Sequence, residues 1–235
     1  MAEVHNPIGN RLLALLPDDE YKRIGPHLEP VTLAVGDIVY ESGVPMKHVY
    51  FPVTAIISRL YTTENGVTAQ IGLVGNEGVI GTALFMGDDR TPNHAIAQAA
   101  GQALRLKAGI LQDEFKRCGK FQDLLLRYTQ ALVTQISQTA VCNRLHSVEQ
   151  QLCRWLLLSH DRIDSDVLVM THEVIANMLG TRREGVTVAA GHLQDAGLID
   201  YHRGRIQILN RKGLEDAVCE CYYVVRDEYA RLFNL

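Results

Sequence analysis

The chain has 235 residues, of which 47% are hydrophobic and 21% charged, with a formal net charge of −4. That balance suits a folded protein of one large or two modest domains and excludes long disorder or nucleic-acid binding over the whole surface. No apolar run reaches the ~18 residues of a membrane span, and Met1 to Asn6 carry no signal-like segment, so a cytoplasmic chain without membrane contact is expected.

Arg11 to Ile24 reads as a short helix interrupted at Pro17. From about Val31 to about Leu106, short apolar runs alternate with turn residues. Val31-Thr-Leu, Ile38-Val-Tyr, Val49-Tyr-Phe, Ile56 to Tyr61 and Thr68 to Leu73 are the strand candidates. Asn65-Gly66 predicts a tight primed turn between the last two, since both positions of such a turn need positive φ. Many short strands at this spacing predict a sandwich or small barrel.

The character then changes. Phe121 to Leu145 holds no glycine or proline and predicts one long helix. Leu125, Tyr128 and Leu132 form one apolar line; Leu126, Val133, Ile136 and Ala140 form another. Two stripes suggest two partners, one being the β domain and the other a second copy of the helix. A buried core helix without a dimer is the competing reading. Ser147-Val-Glu-Gln150 has the form of a capping box and restarts a helix through Val148, Leu152, Trp155 and Leu156, which ends in the loop around Asp161 to Asp166.

Thr171 to Leu209 carries the functional signal. Thr171 caps a short helix with Val174, Ile175 and Leu179 inward, and Gly180 suits the turn that ends it. Thr181-Arg-Arg-Glu184 reads as a second capping box opening a helix to about Ala196, with Val186, Ala189 and Leu193 inward. Two capped helices joined at glycine predict a helix-turn-helix, whose second helix enters the major groove of double-stranded DNA. Arg182, Arg183 and Glu184 lie in its first turn, with Thr187 one turn beyond Arg183. Arginine pairs with guanine and glutamate with cytosine. After Gly197 a hairpin turns near Arg203-Gly204 and offers Arg203 and Arg205 to phosphates. Thr171 to Lys212 holds six Lys/Arg against four Asp/Glu, a locally basic stretch on an acidic chain. The competing reading is a protein-interaction or ligand-binding adaptor whose winged helix is structural and binds no DNA. No nucleophile-base spacing, metal motif or phosphate loop supports an enzyme.

On these residues the chain resembles the Crp/Fnr family of bacterial transcription regulators over nearly its whole length. Leu33, Gly36, Ile38, Gly43 and the Gly78-Val-Ile-Gly81 turn match its β-roll. Thr171, Ile175, Leu179, Gly180, Arg183, Glu184, Val186, Leu193 and Gly197-Leu198-Ile199 match its winged helix more specifically. The resemblance implies an α+β fold: an N-terminal β-roll (a jelly-roll-like double-stranded β-helix) over 1–120, a dimerisation helix over 121–146, and a winged helix-turn-helix with a C-terminal helix over 147–235. It also implies a homodimer on a palindromic operator and, for an activator, contact with RNA polymerase. The family's base-reading Arg-Glu pair falls on Arg183 and Glu184, but its next arginine is replaced by Val188, which bears on the half-site read.

The effector pocket departs further. The glutamate that holds a cyclic nucleotide's ribose in the family is replaced by Thr82, after Gly81. Asn93 and His94 stand about where its phosphate-binding Arg-Ser/Thr would fall, with Arg90 nearby. The ligand chemistry of that branch is therefore absent, and the cofactor or effector is left unassigned. His48, His94, His146 and Cys142 show no ligand spacing, so no metal site is expected. The odd set Cys118, Cys142, Cys153, Cys219 and Cys221 reads as small apolar residues, with Cys219 and Cys221 on different faces of a single tail helix from Gly213 through Leu214, Val218, Cys221, Tyr222 and Val225.

Overall fold

The computed structural model describes residues 9–163 and 165–233; Met1 to Asn6 and the end of the tail lie outside the described residues. The chain divides into two compact units, 1–57 with 74–130 and 58–73 with 131–235.

The first unit opens with α1 (Arg11–Ala14) and α2 (Asp18–Ile24), broken at Pro17 as expected. The strands are β1 (Glu29–Leu33), β2 (Ile38–Tyr40), β3 (His48–Pro52), β4 (Ile56–Thr62), β5 (Thr68–Val74), β6 (His94–Ala99) and β7 (Gly101–Lys107), with α3 (Ala83–Met86) before β6 and α4 (Ala108–Phe115) after β7. β1-β7-β3 form an antiparallel sheet, and β2 pairs antiparallel with β6. Val49, Phe51, Ala95, Ala97 and Leu106 are fully buried, the one-in-two spacing of strands with one face on a core. All five strand candidates exist. β6 and β7 carry little strand signal, because His-Ala-Ile-Ala-Gln-Ala and Gly-Gln-Ala-Leu-Arg are poor in the β-branched and aromatic residues that mark strands.

The β4–β5 hairpin, whose tip and most of its length belong to the second unit, corrects the turn expected at Asn65-Gly66. Gly66 has φ 84°, but among the described residues the only non-glycine residues with positive φ are Cys118 and Arg203. Gly66 N–H donates to the Thr63 carbonyl at 2.9 Å, and Thr63 N–H to the Val67 carbonyl at 2.9 Å. This is an ordinary turn over Thr63–Gly66 followed by a left-handed glycine. The extra loop residue relieves Asn65 of the positive φ a two-residue turn would impose.

The long helix α5 spans Lys120–Leu145. Its first backbone donors would be orphaned, but the buried Glu20 carboxylate accepts from Lys120 N–H at 2.8 Å and Phe121 N–H at 2.7 Å. Phe121, Leu124, Leu125, Tyr128 and Leu132 are buried on one face. Tyr128 packs where a side chain at Gly78 would come within 2.5 Å of its hydroxyl, so only glycine fits there. Further along, within the second unit, Gln135 accepts from Leu73 N–H at 2.8 Å and donates to the Leu73 carbonyl at 3.2 Å. Leu126, Val133 and Ala140, spaced by sevens, are exposed. The second stripe is therefore present, with Ile136 half-buried beside it.

α6 (Val148–His160) starts at the expected capping box: Ser147 Oγ accepts from Gln150 N–H at 3.3 Å, and Gln150 Oε1 accepts from Ser147 N–H at 3.2 Å. Trp155 Nε1 donates to Gln70 Oε1 at 3.1 Å, tying α6 to the hairpin. β8 (Val167–Val169), α7 (His172–Leu179), α8 (Arg183–Asp195), β9 (Ile199–His202) and β10 (Arg205–Ile208) follow, with β10 central in a three-stranded sheet. The tail is two helices, α9 (Arg211–Ala217) and α10 (Glu220–Phe233), where one was expected. Val218 is extended at φ −74°, ψ 154°, which ends α9 and leaves Cys219 outside α10. Cys142, Cys219 and Cys221 consequently share one buried cluster, against the expectation that Cys219 and Cys221 face apart. Among the described residues no helix is long and apolar enough to cross a membrane.

Candidate nucleic-acid interface

The helix-turn-helix is built from local chemistry. Thr171 Oγ1 accepts from Val174 N–H at 3.3 Å and caps α7. Gly180, left-handed at φ 64°, returns its N–H to the helix end and lets the chain turn. The inner faces of α7 and α8 (Ile175, Leu179, Val186, Ala189 and Leu193) are buried as expected, but Val174, expected with them, is exposed in the first turn of α7.

The second capping box is not formed. The N-cap of α8 is Arg182, extended at φ −85°, ψ 147°, without a side-chain cap bond. Starting one residue later than the pattern implied puts Glu184 at the second helical position, too early to reach back to the cap. Arg183 and Glu184 consequently open the helix itself, and Arg182, Arg183 and Glu184 are all exposed.

Thr187 is exposed but engaged. Its hydroxyl donates to the Arg183 carbonyl at 3.0 Å and lies 3.0 Å from His172 Nδ1. With the only hydroxyl proton used on Arg183, His172 Nδ1 donates, and among the described residues its buried Nε2 has no hydrogen-bond partner. Burial and then the neighbouring Arg183 charge hold the imidazole below its ordinary range, in its neutral form. The ring stacks on Tyr201 at 4.0 Å between centroids. His172, which sequence reasoning missed, thus ties α7 to the first turns of α8 and to β9. Its only sequence signal was a place beside the cap.

The hairpin beyond α8 turns at the expected residues. Arg203 has φ 47° and Gly204 φ 77°, the paired positive values of a two-residue primed turn, and Arg205 pairs with His202 across it. Gly204 carbonyl accepts from Met170 N–H at 2.7 Å, which anchors this wing to the start of α7.

The basic residues fall into two sets. Arg211 pairs with Asp161 and Glu215, and Lys212 with Asp216, so these two serve the fold. Arg182, Arg183, Arg203 and Arg205 are exposed, and among the described residues their guanidinium groups have no ion-pair or hydrogen-bond partner. Elsewhere Arg23, Arg90, Arg105, Arg117, Arg226 and Arg231 are all in ion pairs.

In the first unit, Gly81 is left-handed at φ 103° and Thr82 is buried ahead of α3. Asn93 is buried and spent, accepting from the Tyr40 hydroxyl and donating to Thr91 Oγ1 at 2.6 Å. His94 is half-buried at the start of β6, and Arg90 lies on the surface against Asp89 at 3.2 Å.

A model of the Crp-like helix-turn-helix domain matches residues 150–217, and one of the cyclic nucleotide-binding domain matches residues 30–118. The chain is 24% identical over 185 residues to the global nitrogen regulator of Synechococcus elongatus, covering 74% of this chain and 83% of that protein. It is 27% identical over 197 residues to the transcriptional regulator SdrP of Thermus thermophilus, covering 80% and 93%. Among solved structures, a Crp/Fnr-family regulator from Eubacterium rectale superposes with a TM-score of 0.69 at 19% identity, covering 86% of this chain and 94% of that one, which shows the same fold. With both domain models matched in the family's order, the chain belongs to the Crp/Fnr family of transcription regulators, with a cyclic nucleotide-binding-like β domain and a DNA-binding winged helix-turn-helix.

Proposed function

We propose that the chain acts as a homodimer on a palindromic site in double-stranded DNA, with α8 in the major groove and the β9–β10 wing on the phosphate backbone. The observation that carries this reading is the set of four unpartnered arginines, Arg182, Arg183, Arg203 and Arg205, on a chain that pairs most of its other arginines. An exposed guanidinium with no intramolecular partner keeps its donors for a guanine edge or a phosphate. Arg183 and Glu184 read bases, Arg203 and Arg205 neutralise phosphates, and Thr171 and Thr181 flank the backbone approach. Thr187 acts through its hold on Arg183. The wing is fixed to α7 by the Met170–Gly204 bond, so both contacts move as one piece.

The exposed line of Leu126, Val133 and Ala140 on α5 supports dimerisation along that helix, since a seven-residue apolar spacing is what a paired helix covers. We read the chain as a cytoplasmic regulator without catalysis, with residues 1–120 as sensor, 121–146 as dimerisation helix and 147–235 as DNA-binding domain. As an activator it would contact RNA polymerase. Its signal is not a cyclic nucleotide, because Thr82, Asn93 and His94 supply no fixed charge and the one nearby arginine, Arg90, is paired on the surface.

The test is a mobility assay with a two-fold symmetric family-type site against a scrambled duplex. Arg183→Ala should weaken specific binding by about 1–3 kcal/mol and relax preference at one base pair. An adaptor without DNA activity would bind neither duplex, and unchanged specificity in Arg183→Ala would refute the placement of α8.

A further inference from the structure

The buried cysteines at the junction of α5 and α10 are arranged for a purpose the DNA reading leaves unused. Cys142 lies in the last full turn of α5, and His146 follows four residues later, its N–H bonded to the Cys142 carbonyl at 3.1 Å, so both side chains leave the same face. The break at Val218 places Cys219 before α10 and Cys221 in its first turn. The result is four donor atoms, three sulfurs and one imidazole nitrogen, all within 4.8 Å of one another. Cys142 Sγ and Cys219 Sγ are 3.6 Å apart, and Cys221 Sγ and His146 Nδ1 are 3.6 Å apart. We propose that Cys142, His146, Cys219 and Cys221 form a closed tetrahedral site for a single thiolate-preferring divalent ion, zinc.

The two 3.6 Å separations match edges of a tetrahedron around zinc, and the remaining donors lie within 4.8 Å. Bonds of ~2.3 Å to sulfur and ~2.0 Å to nitrogen give edges of about 3.8 Å and about 3.5 Å. A polynuclear iron–sulfur cluster puts ligands on separate irons and spreads them further. The sulfurs are also too far apart for a disulfide, whose bond is ~2.05 Å.

The surroundings complete the site. His146 Nε2 faces the Glu220 carboxylate at 3.4 Å. A carboxylate there keeps the ring proton on Nε2 and leaves the Nδ1 lone pair toward the sulfurs, the outer-shell arrangement that metal-bound histidines use. Three thiolates and a divalent ion leave one negative charge. Arg154, only 5% exposed and close enough to act electrostatically on Cys142 and Cys221, supplies the balancing cation. Gln151 Nε2 donates to the His146 carbonyl at 2.9 Å and holds the turn between α5 and α6. Zinc would fasten α10 to the end of the helix proposed to dimerise, with energy that counts toward folding.

The full-length protein, purified with reductant and without a metal-binding tag, should carry one zinc per chain by elemental analysis and native mass spectrometry. Cobalt exchange should give the intense visible bands of tetrahedral thiolate coordination. Cys219→Ser should abolish or shift those bands, whereas Cys118→Ser, at an exposed cysteine outside the cluster, should leave them unchanged. A strong chelator should lower the melting temperature of the wild type and not of Cys219→Ser. If Cys219→Ser fails to fold, the wild-type stoichiometry and cobalt spectrum decide the matter alone. A reduced chain that takes up neither zinc nor cobalt overturns the proposal, as do iron with inorganic sulfide at this site, or a Cys142–Cys219 disulfide that persists under reductant. DNA binding plays no part in these readouts.

Discussion

Replacing Arg203 with asparagine should stabilise the fold and weaken DNA binding at once. Arg203 holds φ 47° in the wing turn, and its guanidinium has no partner among the described residues. The left-handed region costs an ordinary L-residue about 1–2 kcal/mol, and asparagine before glycine is the preferred primed-turn pair. Recovering part of that strain, about 0.5–1 kcal/mol, would raise the melting temperature by roughly 1–4 °C for a chain of this size. Nothing in the fold is lost, because the arginine head makes no intramolecular bond. On DNA the same change removes one phosphate contact per protomer, two per dimer. Each contact adds about 0.9 to the slope of log affinity against log salt, so the slope should flatten by about 1.8. Between 50 mM and 200 mM salt the wild type should then lose about tenfold more affinity than the variant. Fluorescence anisotropy with specific and scrambled duplexes gives the slopes, and a thermal melt of the same preparation gives the stability. A salt slope equal to wild type would refute the phosphate role. A lower melting temperature would show that the arginine side chain supports the fold.

Three further outcomes follow from the same geometry. Val133, 49% exposed, and Leu132, 3% exposed, are neighbours on α5 with opposite fates. Val133→Glu should yield a folded monomer by sedimentation, whereas Leu132→Glu should unfold the chain and not merely dissociate it; a monomeric wild type at micromolar concentration would remove the dimer from the account. The His172 imidazole is held low by burial and by Arg183, so as pH falls below its unfolded value of about 6.5 the unfolded chain binds a proton that the native state refuses. Stability should decline with that fall, and His172→Phe, which keeps a ring against Tyr201, should flatten the decline; equal pH dependence in both proteins would contradict the neutral assignment. Cyclic AMP and cyclic GMP should show no saturable binding below the millimolar range by calorimetry. Losing two hydrogen bonds to charged groups, at about 1.5–3 kcal/mol each, weakens a micromolar site by a factor of order a hundred or more. Micromolar binding with a matching gain in DNA affinity would reverse that conclusion and direct attention to Arg90.

Features set by near neighbours in the chain were legible from the residues. Ser147 and Gln150 need only each other to cap α6, Thr171 needs only Val174 N–H, and Gly180 takes the left-handed value at no steric cost. The same locality exposes the limits of pattern. Asn65-Gly66 is the stronger primed-turn signal, yet the primed turn is Arg203-Gly204, because sheet register fixes how many residues must bridge each pair of strands. Thr181 to Glu184 has the letters of a capping box, but α8 begins one residue late. The two stripes of α5 could be seen in sequence, but their assignment could not: Leu132 faces the core and Val133 solvent, which depends on what packs against the helix. Distances across the chain were wholly invisible. Glu20 caps α5 from 100 residues away, and Cys142 meets Cys219 across 77. Their meeting depends on one extended residue, Val218, that stops a helix the apolar pattern would have continued. Local spacing gave away the family, the order of its parts and the arginines of α8 and the β9–β10 wing. Which arginines are left unpaired and which cysteines gather in one cluster depends on contacts between segments far apart in the chain, which no local pattern carries.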